Sequence, residues 1–352
     1  MRNQPGCCRL SLQVSFILLF LFLLGGCGEG PLVRQESFVF GTRVEVVSFG
    51  TPEPKAQAAL SMVLREFDRL HRSYHAWQES DLTRLNAAIA DGKPMQVSDE
   101  MLFLIRASQT YAKASDGLFD PAIGHLIELW GFHSDTFVAR LPAPAAVKAA
   151  LAARPSVLDL SIEGHTVSSR NRAVMLDLGG IAKGYALDRA AAILHAQGVN
   201  NALINIGGNI MALGSKGTQP WSVGIQHPRA SGPIATLALY DGEAIGTSGD
   251  YQRFFDLDGK RYSHLLDPRT GTPARHTEAV TILVTPRQGA GLLSDVASKP
   301  VFLADAGWRE MARRSGVSHV LKVDSAGHVS VTADMRARLR WASGMHADTV
   351  VE

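Results

Sequence analysis

Cysteine is nearly absent from this 352-residue chain. Two of its three cysteines, Cys7 and Cys8, fall in an N-terminal segment that we interpret as a removable leader, which leaves Cys27 alone. One cysteine cannot form an intrachain disulfide. The sequence therefore excludes a disulfide-rich scaffold and argues against thiol catalysis in the mature protein.

An excess of either charge is also missing. The chain has 35 Lys and Arg residues against 33 Asp and Glu residues. Arg2 and Arg9 lie in the leader, so its removal leaves 33 basic residues against 33 acidic ones. We expect no nucleic-acid partner, because binding to nucleic acid by charge needs a basic surface.

Long hydrophobic runs are absent too. The apolar run at residues 16–24 is shorter than the roughly 20 residues that a membrane-spanning helix needs. It follows Arg2 and Arg9 and precedes small residues, as in a secretory signal peptide. The ending Leu24-Gly25-Gly26-Cys27 resembles the lipobox of bacterial lipoproteins, which implies cleavage before Cys27 and acylation of that residue. The alternative is an ordinary signal peptide with a chance cysteine.

These features predict how the chain is organised. We expect a signal peptide at residues 1–26, a short tether at residues 27–36 and one large domain at residues 37–345. An acyl chain on Cys27 would hold the domain at a membrane surface. The expected location is the periplasmic side of a bacterial membrane, with the inner membrane favoured over the outer.

Helical patterns dominate the first half of the chain and strand patterns the second. Apolar spacing predicts helices from about residue 54, at 98–115 and at 144–154, with one later helix at 182–197. An early strand is expected at 38–47, and the later strand candidates are 157–162, 173–178, 201–206, 210–213, 221–226, 234–241, 253–257, 261–266, 279–284, 318–323 and 328–332. This segregation predicts an α+β fold of two intimate lobes with a largely antiparallel sheet.

Residues 263–273 place polar side chains at the end of a strand and in a turn stiffened by Pro and Gly. His264 is the candidate for catalysis here, because catalytic residues favour loops that a rigid scaffold positions. Asp267 could orient it, although a structural role for Asp267 is favoured. The alternative for the whole segment is a turn that closes a sheet, with His264 bonded to a neighbouring carbonyl.

Residues 173–188 predict a buried strand, a Gly-Gly turn and a helix start. Backbone N–H groups at Gly179 and Gly180 could approach an anion, which the helix dipole also favours. Asp177 could accept a hydrogen bond from a ligand. A tight strand-to-helix connection is the alternative, and the segment matches neither the Walker loop nor the Rossmann glycine fingerprint.

Other segments allow both structural and functional interpretations. The aromatic block at residues 117–132 would suit a flat ligand, but a core segment is the commoner meaning of such composition. The second Gly-Gly, at residues 207–208, favours a bulge or a close backbone approach. Residues 246–251 predict a small loop able to hold phosphate oxygens, or only a turn. Asp295 could cap a helix or bind Mg²⁺.

Taken in order over residues 38–305, these segments resemble the ApbE family of FAD:protein FMN transferases, which are periplasmic lipoproteins. The resemblance implies an α+β fold, FAD as substrate, Mg²⁺ and a protein co-substrate. That partner would carry a Ser/Thr flavinylation motif and would belong to a membrane redox complex.

The resemblance also implies roles for individual residues. His264 is the expected general base, and Cys27 the lipidated residue. The expected FAD contacts are Phe40, Leu118, Phe119, Asp120, Asp177, Lys183 and Leu265, with Trp77 replacing the usual aromatic contact by a one-residue shift. The expected metal ligands are Gly180 and Asp295. Either Ser298 and waters complete the shell, or Lys299 touches phosphate and reduces the dependence on metal. The chain departs from the family at Lys299, where a threonine is usual and where an ammonium has only donors to offer.

The implied reaction is attack by a Ser or Thr hydroxyl on the FMN-side phosphorus of FAD, with AMP as the leaving group. Such transfers depend on positioning and on neutralisation of developing charge. Two alternatives stay open at the level of sequence. One is an FAD pyrophosphatase, in which water replaces the hydroxyl, and the other is a flavin-binding lipoprotein that breaks no bond.

Overall fold

The computed structural model describes residues 30–134, 136 and 138–352. The expected signal peptide, Cys27 and the start of the expected tether lie outside these residues. Nine helices and 19 strands follow in the described parts of the chain. None of the helices within those parts is both long enough and apolar enough to cross a membrane.

Five of the described helices precede residue 153. In chain order the helices are α1 (Glu53–Tyr74), α2 (Asp81–Asp91), α3 (Asp99–Ala114), α4 (Gly124–Leu129), α5 (Pro144–Ala152), α6 (Ala182–Ala196), α7 (Ala290–Leu303), α8 (Trp308–Arg314) and α9 (Ala333–Arg338). Ser98 caps α3 by accepting from the Met101 N–H, as a serine at this position should.

Most strands lie in the second half of the chain. They are β1 (Leu32–Val39), β2 (Thr42–Phe49), β3 (Met95–Gln96), β4 (Leu160–Glu163), β5 (Thr166–Ser169), β6 (Ala202–Ile206), β7 (Asn209–Leu213), β8 (Trp221–Gln226), β9 (Pro233–Leu239), β10 (Ala244–Gly249), β11 (Phe254–Leu257), β12 (Lys260–Ser263), β13 (Leu266–Asp267), β14 (Thr272–Pro273), β15 (Thr277–Val284), β16 (His319–Asp324), β17 (Val329–Thr332), β18 (Leu339–Trp341) and β19 (Thr349–Val351).

A nine-stranded sheet organises the molecule, in the order β1-β2-β6-β7-β10-β15-β16-β17-β19. Its neighbours pair antiparallel except β17 and β19, which are parallel. Every residue of β15, at the centre, is buried because both faces of the sheet are covered. Helices α1, α6 and α7 contribute to the core on one face, and the small β8-β9-β18 sheet packs apolar residues such as Trp221 and Val223 against the other. The α+β class is therefore confirmed.

Two tight hairpins form one edge of the sheet. Phe40 and Gly41 join β1 to β2 with φ of 58° and 67°, and Gly207 and Gly208 join β6 to β7 with φ of 57° and 93°. Two-residue turns with positive φ match the twist of the strands that they connect. The turns also meet, since a Cβ at Gly207 would lie 2.5 Å from Oγ1 of Thr42. The second Gly-Gly is thus a hairpin turn in close contact with a neighbouring strand, rather than a bulge.

Glycines bring α7 close to both of its neighbours. A Cβ at Gly184 on α6 would lie 2.5 Å from the carbonyl oxygen of Gly291 on α7. A Cβ at Gly246 on β10 would lie 2.1 Å from the carbonyl oxygen of Ser294. Only a missing side chain permits such contacts. They place the buried middle of α7 directly on the sheet.

Several predicted boundaries are wrong. Residues 32–36 are not a tether but the first five residues of β1, because all eight residues of that strand pair with β2. The domain continues past residue 345, since β19 pairs with β17. Residues 173–178 form no strand apart from one bridge between Met175 and Ile123. Residues 246–249 are strand β10 rather than a loop.

Candidate active site

His264 follows strand β12, where the chain leaves the β11–β12 hairpin. Its backbone N–H donates to the carbonyl oxygen of Arg253 at 3.0 Å, and its ring Nδ1 lies 3.1 Å from the same oxygen. A carbonyl can only accept, so Nδ1 carries the proton and Nε2 keeps its lone pair. The contact fits the sequence alternative of a histidine bonded to a carbonyl, and it also leaves a ring nitrogen able to take a proton.

Burial and nearby positive charges keep this imidazole neutral. Burial, together with the positive charges of Arg253, Lys183 and Lys299, lowers the pKa of His264 to about 3. The hydrogen bond to the Arg253 carbonyl opposes the shift without cancelling it. A neutral histidine with a free lone pair is the form that a general base requires.

Asp295 lies in the middle of α7, not at its start, so it caps no helix. Its Oδ2 accepts from the backbone N–H of Gly184 at 2.8 Å, and its Oδ1 lies 2.5 Å from Nζ of Lys299. Burial alone would raise the pKa of Asp295, but the ammonium groups of Lys299 and Lys183 and these hydrogen bonds hold it below its usual value. The carboxylate is therefore ionised and paired inside the protein.

The Gly179–Gly180 turn begins the approach to α6. Asp177 accepts from the Gly179 N–H at 2.7 Å and from Nε1 of Trp77 at 3.1 Å. Trp77 thus joins the turn through Asp177. Nζ of Lys183 lies 3.4 Å from the carbonyl oxygen of Gly179. These four residues form one face of the candidate site.

The turn and α7 meet at Gly180. A Cβ there would lie 3.2 Å from the Phe119 ring and 3.3 Å from Cε of Lys299. The Lys299 and Lys183 charges act on both Asp295 and His264. Lys299 therefore joins the Asp295 carboxylate to the glycine turn, and its charge, together with that of Lys183, also acts on His264.

The remaining expected FAD contacts fall into two groups. Phe119 touches the turn, and Leu118 and Leu265 are buried in the same hydrophobic core. The Asp120 carboxylate instead accepts from the Ser156 hydroxyl and from the backbone N–H groups of Ala122 and Val157. Its oxygens hold a loop, and burial raises its pKa despite those bonds. Its side chain is committed to structure.

Phe40 contributes from the β1–β2 turn. Its ring lies 6.1 Å from the Phe67 ring and 5.7 Å from the His71 ring, measured between centroids. A left-handed backbone is uncommon for an aromatic residue, and strain of this kind clusters at functional sites. Phe40 stays a predicted FAD contact.

The residues present do not fit a resident Mg²⁺ ion. The Asp295 carboxylate already accepts from an ammonium and an N–H group, and the Ser298 hydroxyl bonds the Asp295 carbonyl at 2.8 Å and the Ser248 hydroxyl at 2.7 Å. No group of three or more His, Cys, Asp or Glu within the described chain is arranged to hold a metal. Lys183 and Lys299 already supply two positive charges here, and a divalent ion prefers an oxygen-rich, anionic shell.

Arg253 is a functional residue that the sequence analysis missed. Its carbonyl sets the tautomer of His264, and its guanidinium donates to the carbonyl oxygens of Phe132 and Ser134 at 2.9 and 3.1 Å. Those bonds connect the hairpin to the aromatic block. No local motif surrounds Arg253, so only the folded contacts could identify it.

A cavity of about 480 Å³ lies elsewhere, between α6 and the start of α7. Its lining includes Phe103, Tyr185, Asp188, His195 and Arg287 and none of the predicted site residues. Burial raises the pKa of the Asp188 carboxyl to about 6, although the N–H groups of Gly291 and Leu292 oppose the shift.

The overall fold is that of solved ApbE proteins. The chain superposes on the ApbE protein of Thermotoga maritima with a TM-score of 0.79 and 32% identity, over 88% of this chain and all of that one. It superposes on the apo flavinyl transferase ApbE of Pseudomonas stutzeri with a TM-score of 0.73 and 28% identity, over 85% of this chain and 93% of that one. Residues 40–321 match the model of the ApbE family, and the chain belongs to that family.

Sequence relatives carry a more specific name. A protein named FAD:protein FMN transferase from Rhodobacter capsulatus is 41% identical over 329 residues, which cover 92% of this chain and 62% of that protein. The chain thus spans less than two thirds of that relative. A Treponema pallidum protein of the same name is 34% identical over 77% of this chain and 80% of its own length.

Proposed function

We propose that this chain is an FAD:protein FMN transferase that moves FMN from FAD to a Ser or Thr hydroxyl of a target protein and releases AMP. Family membership and the names of the relatives support the transferase class. The observation that carries the proposal is that Lys299 packs against the Gly180 turn and Lys183 against the Gly179 carbonyl, while both lysine charges act on His264.

His264 acts on the incoming hydroxyl. Its Nε2 takes the hydroxyl proton as the oxygen forms a bond to the FMN-side phosphorus, and the bond from that phosphorus to the AMP oxygen breaks. General-base help of this kind contributes about 10²–10⁴ in rate. Burial and the charges of Arg253, Lys183 and Lys299 keep the ring neutral before FAD binds, and a bound diphosphate would offset those charges and favour the protonated ring.

The diphosphate is held by positive charge and backbone donors. Lys183 presents its ammonium, and Gly180 its backbone N–H, at the start of α6, where the helix dipole also favours an anion. Phe119, Trp77 and Phe40 supply aromatic surface for the flavin and adenine rings. The Mg²⁺ ion implied by family resemblance takes no step in this mechanism, because the Asp295 region does not fit it.

Location and partner complete the proposal. We infer an acyl anchor on Cys27 that holds the domain on the periplasmic face of a membrane, close to target subunits of membrane redox complexes. A mature protein whose mass shows no lipid on Cys27 would refute the anchor. It would leave the transferase proposal intact.

The direct experiment incubates purified protein with FAD and a candidate acceptor domain that contains a Ser/Thr flavinylation motif. In-gel flavin fluorescence reports covalent FMN, and chromatography reports AMP. We expect both products in equal amounts, and both to depend on the acceptor. AMP and free FMN formed without acceptor would instead identify a pyrophosphatase, and FAD recovered intact would identify a binding protein.

A further inference from the structure

The ammonium of Lys299 occupies the position beside Asp295 where a cation is expected. Its Nζ donates to Oδ1 of Asp295 at 2.5 Å and to the Asp295 carbonyl oxygen at 2.8 Å. The Asp295 side chain is 1% exposed and the Lys299 side chain 17%. This pair is part of the interior, unlike a surface ion pair that solvent would screen.

The stem of Lys299 fits the glycine turn. Its Cε and Cδ lie 3.3 and 3.4 Å from the place where a Cβ at Gly180 would be. Any side chain at Gly180 would therefore press on the lysine. Because Gly180 has no side chain, the Lys299 ammonium can lie between α7 and the turn that faces the diphosphate.

Two ammonium groups already neutralise the carboxylates at the turn. Lys299 and Lys183 balance the charges of Asp295 and Asp177, and Arg253 acts on His264. A divalent ion added to this group would face the ammonium groups of Lys299 and Lys183, which both act on Asp295. An ammonium has three donors, and the contacts of Lys299 with described residues use two of them, which leaves one for a phosphate oxygen.

We propose that Lys299 replaces the divalent cation of the site, so that its ammonium neutralises the diphosphate and the leaving phosphate of AMP and FMN transfer proceeds without Mg²⁺. The inference rests on the proposed function for its chemistry. Its claim about metal binding can be tested without turnover.

The first experiment measures metal binding on the FAD-loaded protein, with Mn²⁺ as an electron paramagnetic resonance probe. We expect wild-type protein to bind no Mn²⁺ at the site. Lys299→Thr, which removes the ammonium and supplies a hydroxyl beside a freed carboxylate, should bind one equivalent. Lys148→Thr, an exposed change on α5, is the matched control and should behave as wild type.

The second experiment measures FMN transfer in excess EDTA and then in added Mg²⁺. Wild-type and Lys148→Thr rates should differ less than about twofold between the two conditions. Lys299→Thr should lose about 10²-fold in EDTA, the scale of removing one transition-state charge stabiliser, and should recover at least about tenfold with Mg²⁺. Lys299→Arg keeps the charge, so its transfer should stay resistant to EDTA. It provides a second test if the threonine variant folds poorly.

The outcomes separate the two proposals. Stoichiometric Mn²⁺ binding by wild type, or wild-type transfer that EDTA abolishes and Mg²⁺ restores, would overturn the role of Lys299 and leave the transferase proposal standing. The opposite result is also informative. If wild-type protein transfers no FMN under either condition, and excludes Mn²⁺ while Lys299→Thr binds it, the transferase proposal is overturned and the role of Lys299 stands.

Discussion

Gly184 donates its backbone N–H to Oδ2 of Asp295 at 2.8 Å, across the contact between α6 and α7. The bond is possible because Gly184 has no side chain, since a Cβ there would lie 2.6 Å from Cβ of Asp295. It fixes one carboxylate oxygen, while Lys299 holds the other. The helix that follows the glycine turn and the helix that carries the lysine are thus joined at the candidate active site.

Removing Asp295 should destabilise the fold through the charge left behind. Asp295→Ala leaves Lys299 buried without its carboxylate, and breaking such a pair costs about 3–5 kcal/mol. Urea unfolding monitored by circular dichroism measures the loss. The surface pair of Asp256 with Arg261 provides the control, because Asp256→Ala should cost at most about 1 kcal/mol. The double variant Asp295→Ala/Lys299→Met should regain much of the stability. A double variant no more stable than the single one would contradict this account.

His264→Ala should lose FMN transfer but keep FAD binding. The expected fall in rate is about 10²–10⁴, because the variant lacks the group that takes the hydroxyl proton. Flavin fluorescence titration measures the affinity for FAD, and in-gel fluorescence measures transfer. His195→Ala, on the distant wall of the 480 Å³ cavity, is the control histidine. Normal transfer by His264→Ala would remove this residue from the mechanism.

The same histidine should make stability depend on pH in the acid range. Its pKa is about 3 in the folded protein and near 6.5 when unperturbed, so below pH 6.5 the unfolded chain takes up a proton that the folded chain does not. Stability from this group is present above pH 6.5 and is lost as pH falls towards 3, by up to about 1.4 kcal/mol per unit. Denaturant midpoints between pH 7 and pH 5 measure the slope.

His264→Gln should have a shallower slope over that pH range, because glutamine does not titrate. His165→Gln serves as the control, since His165 is an exposed histidine. Equal slopes for wild type and His264→Gln would show that the imidazole is not held neutral by the fold.

Gly180→Ala should impair function with little effect on folding. Its methyl group would lie 3.2 Å from the Phe119 ring and 3.3 Å from Cε of Lys299, so that each neighbour must shift by a few tenths of an ångström. We expect transfer to fall at least about tenfold and stability to change by less than about 1–3 kcal/mol, the range for overpacking. Gly307→Ala is the matched control, because a Cβ at Gly307 meets nothing within 4 Å. Equal transfer rates in the two variants would show that the Gly180 turn is not part of the active site.

Local patterns predicted some elements closely. Alternation in residues 221–226 predicted β8, in which Trp221, Val223 and Ile225 are buried and their neighbours exposed. Ser98 predicted the start of α3. Both signals are local, because the face that meets the core and the N-cap hydrogen bond each depend on residues within one element.

Patterns failed where contacts distant in sequence decide the conformation. Helix α2 was missed although Ser80 and Thr83 form a capping box, because its short apolar stripe resembles other surface segments. The apolar stretch at 173–178 suggested a strand. Yet Asn86, 90 residues away, bonds both the N–H and the carbonyl of Leu176 and takes the place of a neighbouring strand.

The order of its motifs was enough to assign this chain to a family, and the residue types alone identified His264, Asp295 and the glycine turn as candidates. The internal position of Lys299, in contrast, needed the tertiary structure. A lysine four residues after an aspartate is usually a solvated helical pair, and only burial between α7 and the Gly180 turn makes it an internal cation. The interaction energy of a charge with its neighbours rises as water is excluded from it, and the spacing of residues in a sequence does not show where water is excluded.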